Sequence, residues 1–331
     1  LLINTLDEIF KGNEVLFKDL YIHDKWDWND KYPVIKLDLS KIENQNPQEL
    51  KKELKMAIND IAEEFSIKLS DSSPQRLLDE LIRGLYNNFN KKVVVLVDEY
   101  DTPLIDVITD ENTYKKNRDI LAKFFKILKT NDEYIKFIFL TGVSKIANLS
   151  LFSGLNSPDD ITLDDRFALL CGYSEDELKD YFKEYIDTVR DNLNLSFKEL
   201  MDHINYWYNG YSWDGKNKVY NPSSTLKLFS EKYFSNYWFT TGTPNFLMEQ
   251  IKKNNNLNLV LKPITLVKDD LDSFNPNNFD VTPLLFQTGY ISIKKVEIQN
   301  LERLFTLDFP NHEVKVSFFK KLLTAYSTSL K

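Results

Sequence analysis

The stretch KKVVVLVDEYDTP, residues 91–103, decides the fold. An apolar run from Val93 to Val97 ends in two adjacent carboxylates, Asp98 and Glu99. An unbroken, largely β-branched run suits a strand buried on both faces, as in a parallel sheet covered by helices. Charges at the carboxyl end of such a strand sit where open α/β sheets bind ligands. An acidic pair there can serve a nucleoside triphosphatase. The first carboxylate holds Mg²⁺, directly or through water, and the second polarises the attacking water. This is the form of a Walker B element. Taken alone, the same residues also suit an ordinary buried strand ending in solvated acids. Asp101 is either a further acid behind this pair or the start of a turn with Thr102-Pro103, and the turn is the preferred reading.

Working outward, residues 1–11 read as a helix with Leu2, Leu6, Ile9 and Phe10 on one face. Tyr32-Pro33 leads into a strand, VIKLDLS (34–40). Residues 50–69 have helical spacing, and Ser73-Pro74 opens a further helix through Phe89, with Pro at the first helical position. After the Asp98 strand come an amphipathic helix over 111–130, a buried strand over 135–140 ending at Thr141-Gly142, and a short candidate strand over 160–163. This alternation predicts an α/β layer architecture. From about 165 to 257 the pattern is mostly helical, and Ser174 with Glu177 forms a capping box opening a helix to about Val189. KKNNNLN (252–258) reads as a polar linker. Beyond it come a helix, an apolar strand in LLFQTGYISIKK (284–295), a strand near 303–308 and a helix over 315–329, which fit a small winged-helix-like unit. The expected units are therefore 1–164, 165–257 and 258–331.

With 331 residues, 42% of them apolar and 28% charged, the chain can bury a substantial core in a globular, soluble protein. A net charge of −8 argues against a broad nucleic-acid-binding face. No apolar run approaches the ~20 residues of a membrane span. Cys171 is the single cysteine, so no internal disulfide forms and a reducing cytoplasm fits. His23, His203 and His312 are scattered and show no metal-ligand spacing.

Several further segments carry a resemblance: FIFLTGVSKIANLSLFSGLNSPDDITLD (137–164), FALLCGYSEDEL (167–178), WYNGYSWDGKNKVYNPSS (207–224), NYWFTTGTPNFL (236–247) and LLFQTGYISIKK (284–295). With the Asp98 stretch, and in this order, they resemble the AAA-ATPase-like family, P-loop ATPase modules often found upstream of a PD-(D/E)xK nuclease-like domain. The resemblance implies a P-loop NTPase-like (AAA+/ASCE) parallel sheet core followed by helical, lid-like and winged-helix-like units. It implies ATP and Mg²⁺ as cofactors, with Asp98 on the metal and Glu99 as the water-activating base. Thr141 stands where a sensor residue would meet the γ-phosphate or the water, although Thr-Gly at a strand end also suits a turn. Lys145 is a cation facing phosphate or a surface lysine. Arg166 is a phosphate-sensing finger or a structural partner of Asp164 or Asp165.

One part of the family's pattern is missing. No segment before Asp98 has GxxxxGK[ST], whose amides wrap phosphates and whose Lys neutralises them. In the family a helix like 1–11 directly follows that loop. The expectation is that the loop and its strand lie upstream of Leu1, that the strand would run between the Thr141 and Asp160 strands, and that residues 1–331 alone do not hydrolyse ATP. Gly210, Gly215 and Lys216 mimic the spacing, but Asn217 replaces the metal-touching hydroxyl. Asp214-Gly215 instead signals a hairpin turn among aromatics.

Asp308 with Glu313-Val314-Lys315 imitates a nuclease acid and ExK, but the gap is too short for two strands of a hairpin. Nucleic acid would thus be met only through an associated nuclease-like domain, which in the family follows a stretch like this one. The aromatic residues 207–213 and 236–239 suit core packing or a protein-partner interface better than base stacking, because the region is not basic. The two functional readings are an ATP-driven conformational switch and a degenerate ATPase that binds or regulates a partner.

Overall fold

The computed structural model of the protein describes residues 1–145, 158–238, 251, 262–272 and 281–327. The linker expected at 252–258, and parts of the quoted segments at 146–157 and 239–247, lie outside the described residues. The chain divides into two units, Leu1–Pro158 and Asp159–Lys331.

The first unit is an α/β layer structure. Strands β1 (Val34–Asp38), β2 (Val93–Asp98) and β3 (Ile135–Leu140) form a parallel sheet in the order β1-β2-β3. Ile35 lies opposite Val95, and Val95 opposite Ile138. The expected double burial of the central strand is met, with every residue from Val93 to Val97 at 0% exposure. Alternation sends Val94 and Leu96 to one face, where they pack with Val34, Ile3 and Phe10. The last two belong to helix α1 (Leu2–Lys11). The opposite face meets α2 (Pro47–Glu64) and α3 (Pro74–Phe89), with α5 (Glu111–Thr130) packed on them. The short helix α4 (Thr102–Ile105) joins β2 to α5.

Local chemistry accounts for the boundaries. The Asn46 carboxamide accepts from the amides of Gln48 and Glu49, so α2 starts at Pro47 and not at 50. It stops before Ser66, which has φ +55°. Helix α5 is capped by Asp110, which accepts from Asn112 and Thr113. On the α1 face an ionic contact replaces apolar packing. Buried Asp7 accepts from Lys36 of β1 at 2.6 Å and pairs with Lys11 at 2.8 Å. Strand β3 differs from β2. Among the described residues its outer edge has no strand partner, Phe137 is 36% exposed, and Ile138, Phe139 and Leu140 are half-buried.

The second unit begins with a correction. Residues 160–163 form no strand. The Asp160 carboxylate accepts from the Thr162 amide at 3.0 Å, and Asp164 N donates to Ile161 O at 3.2 Å, so the segment closes into turns. Helices α6 (Glu175–Tyr181), α7 (Lys183–Leu193), α8 (Phe197–Tyr208) and α9 (Pro222–Glu231) follow. The Ser174–Glu177 capping box forms as read, but the single helix expected to Val189 breaks at Phe182. Strand β4 (Ile264–Val267), helices α10 (Lys268–Asp272) and α11 (Val281–Gln287), β5 (Ser292–Gln299), β6 (Glu302–Asp308) and α12 (His312–Ser327) complete the unit. The antiparallel sheet has the order β4-β6-β5. Here LLFQ is helical and the strand starts only at Ser292. A short apolar run has no periodicity to separate buried helix from buried strand.

Because Leu96 is fully buried in the central strand, Leu96→Ala is expected to lower unfolding free energy by about 2–5 kcal/mol. Met56→Ala, at a site 47% exposed, is expected to change it by less than about 0.5 kcal/mol. Urea titration checks both.

Candidate functional site

The carboxyl ends of the parallel strands bring the predicted residues of the first unit together. Asp98 is the last residue of β2 and lies in register with Asp38, the last residue of β1. Thr141 directly follows β3, and its hydroxyl donates to the Asp98 carboxylate. The ladder runs on past the strands: Thr141 N donates to Val97 O at 2.9 Å, and Tyr100 N donates to Thr141 O at 3.0 Å. Asp98, Glu99 and Thr141 are all half-buried, so each can reach a ligand while its base is held.

Glu99 has φ +49°, the left-handed region that a non-glycine residue enters at a cost of about 1–2 kcal/mol. Such strain is concentrated at functional sites. It turns the chain sharply at the end of β2. The Glu99 carboxylate accepts from the Thr102 hydroxyl at 3.0 Å. Thr102 was not singled out in the sequence, and a hydroxyl three residues beyond a candidate base is the signal that could have marked it.

Asp101 starts the turn as read, its carbonyl accepting from Leu104 N at 2.9 Å, but its carboxylate goes elsewhere. It occupies the position before α4 but makes no side-chain cap there. Its carboxylate is fully buried and accepts from Val143 N at 3.0 Å, Ser144 N at 2.6 Å and the Ser144 hydroxyl at 2.6 Å. Burial pushes its pKa up, while these hydrogen bonds oppose the shift. The Tyr100 hydroxyl donates to Ser144 O at 3.0 Å. Gly142 leaves no room for a side chain, because a Cβ there would lie 2.5 Å from Asp101 Oδ1 and 2.6 Å from Tyr100 Cε1. Lys145 follows directly and is half-buried.

Beside this cluster, Lys41 pairs with Asp38 at 2.9 Å, and its pKa is raised mainly by that contact and in lesser part by Asp98. Among the described residues no group of three or more acids, histidines or cysteines is arranged to hold a metal. Mg²⁺ in phosphate chemistry needs fewer, since one or two carboxylates plus substrate oxygens and waters complete its shell. Asp98 fits that demand.

Arg166 belongs to the second unit. Its guanidinium donates to Asp164 Oδ2 at 2.6 Å and holds that carboxyl down to about 2. The Walker-like GYSWDGKN is a turn with its amides already used. Asp214 Oδ1 accepts from Lys216 N and Asn217 N, and the Ser212 hydroxyl accepts from Gly215 N. Gly215 has φ +73° and Tyr211 bridges Val219, as a hairpin requires. Of the aromatic residues 207–213 and 236–239, Tyr208 and Tyr237 are core, Trp207 packs against that core, and residue 239 lies outside the described residues. The ExK imitation also separates. Glu313 is buried at the start of α12 and accepts from Ser224 Oγ at 2.8 Å and Trp238 N at 2.7 Å, while Lys315 is exposed.

With this geometry established, comparison with known proteins finds a family model that matches part of the chain. Residues 1–152 match the AAA-ATPase-like family, whose description reads Predicted AAA-ATPase. The matched residues contain β1, β2, β3 and the whole stretch from Asp98 to Lys145, so the resemblance is met over that part of the chain. The chain is also 34% identical, over 326 residues and 98% of its own length, to an "Uncharacterized protein in vnfD 5'region" of Azotobacter chroococcum mcd 1. It spans 61% of the length of that relative. No solved structure matches the chain. Among the described residues, no helix is long and apolar enough to cross a membrane.

The buried Glu313 gives the second unit a definite pH response. Burial raises its folded pKa above the unfolded value of about 4.3. The folded state therefore binds the extra proton in that window, and its contribution to stability is present below the unfolded value and lost as pH rises through the folded one. Glu313→Gln is expected to flatten the fall in urea midpoint from pH 4 upward, followed by tryptophan fluorescence.

Proposed function

We propose that this protein binds Mg²⁺-ATP at the carboxyl ends of β2 and β3 and, with a phosphate-binding loop in place, hydrolyses it to drive a conformational switch. The observation that carries the reading is the pairing of Thr141 with Asp98 beside the strained Glu99. One carboxylate for the metal, one for the water and one hydroxyl for the phosphate or the water converge at adjacent strand ends. The match of residues 1–152 to the AAA-ATPase-like family supports the same chemistry.

In this reading Asp98 holds Mg²⁺, which neutralises charge on the β- and γ-phosphates. Glu99 accepts the proton of the attacking water, and the hydrogen bond from the Thr102 hydroxyl orients its carboxylate. Thr141 holds the Asp98 carboxylate with its hydroxyl proton, and its hydroxyl oxygen is left to accept from the attacking water. Lys145 offers a cation to the phosphate from the same loop. Arg166, paired with Asp164 in the second unit, is the candidate phosphate-sensing cation. The phosphate cradle itself is not built from residues 1–331, which contain no glycine-rich GxxxxGK[ST]. The half-buried outer edge of β3 is where a further parallel strand carrying such a loop would pair. Residues 165–257, as a lid-like unit, and 258–331, as a winged-helix-like unit, are the parts that hydrolysis would move.

Glu99→Gln in the complete polypeptide encoded by the gene is expected to retain Mg²⁺-ATP binding while turnover falls by a factor of about 100 or more. Asp98→Ala is expected to abolish the Mg²⁺ dependence, and residues 1–331 expressed alone are expected to show no turnover. Steady-state phosphate release with parallel equilibrium dialysis measures all three. A Glu99→Gln protein as fast as wild type would contradict the assignment and leave a partner-binding module without turnover.

A further inference from the structure

We propose that Asp101 is a positioning residue of the site: its buried carboxylate locks residues 142–144 onto the end of β2 and so keeps the Thr141 hydroxyl on Asp98. The inference rests on the nucleotide-site reading above. It assigns a task to a carboxylate that touches neither the proposed metal nor the proposed water.

The geometry gives Asp101 no other occupation. A residue before a helix ordinarily spends its side chain on the first amides of that helix. Asp101 leaves the amides of α4 alone and sends both oxygens across to the loop after β3. Two successive amides, Val143 N and Ser144 N, converge on it with the Ser144 hydroxyl. Successive amides of this kind form an anion-binding nest. Here the anion is internal, so the nest is already filled and the loop is pinned. The neighbouring contacts point the same way. The Tyr100 hydroxyl closes on Ser144 O, and Tyr100 N closes on Thr141 O. Gly142 is pressed against both side chains with no space for a methyl group.

These contacts leave Thr141 between two fixed points. On one side its amide is held by Val97 O, and on the other Gly142 to Ser144 are held by Asp101. With the backbone so held, the hydroxyl donates to the Asp98 carboxylate. A carboxylate is required because each of its oxygens must accept. Asp101→Asn keeps the shape but turns one acceptor into a donor facing an N–H. Ser144→Ala is the gentler variant, since it removes a hydroxyl and leaves both amide contacts in place.

The test is made in the complete polypeptide with two readouts on the same samples, at a temperature where circular dichroism shows every variant folded. Hydrogen exchange reports the loop, and Mg²⁺-ATP hydrolysis reports the site. Asp101→Asn is expected to speed exchange at residues 141–145 by about tenfold or more, the loss of one or two buried hydrogen bonds, with β1 and β2 still protected. It is expected to lower kcat about tenfold to a hundredfold, as misplacement of a reacting group does, with KM for Mg²⁺-ATP within about threefold. Ser144→Ala is expected to show the same pattern more weakly. Combined with Thr141→Val, Asp101→Asn should cost nothing beyond Thr141→Val alone, because both act on one hydroxyl.

Unchanged exchange in the loop overturns the proposal, as does a loosening spread over the whole first unit. So does a kcat loss that multiplies with that of Thr141→Val, or a loosened loop with wild-type kcat. A loosened loop in a protein whose wild type has no Mg²⁺-dependent turnover overturns the ATPase reading and, with it, the catalytic part of this inference.

Discussion

A parallel strand with no exposed face is the constraint on which the first unit depends. Val93 to Val97 can be hidden from water only if helices cover both sides of the sheet and strands flank both edges. Helix α1 covers one side, and α2 and α3, with α5 packed on them, the other. Polar groups are excluded from this sandwich except at its ends, or where an ion pair such as Asp7–Lys36 carries its own partner. The carboxylates of Asp98 and Glu99 therefore emerge at one end of β2, and the chain there must turn away at once. The left-handed backbone at Glu99 is how it turns.

The same end of the sheet is held more tightly than a ligand-binding loop needs for its own stability. Ladder bonds continue from Val97 to Thr141 and from Tyr100 back to Thr141, and buried Asp101 adds three acceptor contacts. An unpaired buried carboxylate would be costly, which makes this loop geometry all-or-none: either the amides of 143 and 144 are on Asp101 or the loop opens. Rigidity of this kind suits chemistry that depends on placing a metal, a water and a phosphate with little reorganisation. Strand β3 is the less finished side of the sheet, with Phe137 and Phe139 stacked but incompletely covered.

Much of the first unit was legible in the residues. Pro74, with Ser73 before it, fixed the start of α3, the 111–130 periodicity gave α5, and the apolar run to Asp98 gave the central strand with its burial. The convergence of Asp98 with Thr141 followed from their places at adjacent strand ends. The role of Asp101 was not legible, because an Asp before Thr-Pro has the local signature of a turn and its partners are more than forty residues away. Residues 160–163 misled for the opposite reason: a short candidate strand gave way to a purely local contact, the Asp160 carboxylate accepting from the Thr162 amide. LLFQ misled because an apolar run too short for a full period fits helix and strand alike. Of the two readings of the aromatic region, core packing is met at Tyr208 and Tyr237.

The central claim is that Asp98 and Thr141 hold the metal-nucleotide end of a site. The most direct measurement is paramagnetic broadening of backbone resonances when Mn²⁺-ATP is added to the complete, isotope-labelled protein. The account predicts broadening centred on residues 98, 99 and 141, weaker toward 38 and 145, and absent in Asp98→Ala. Broadening centred elsewhere in the protein, or unchanged in Asp98→Ala, would contradict it.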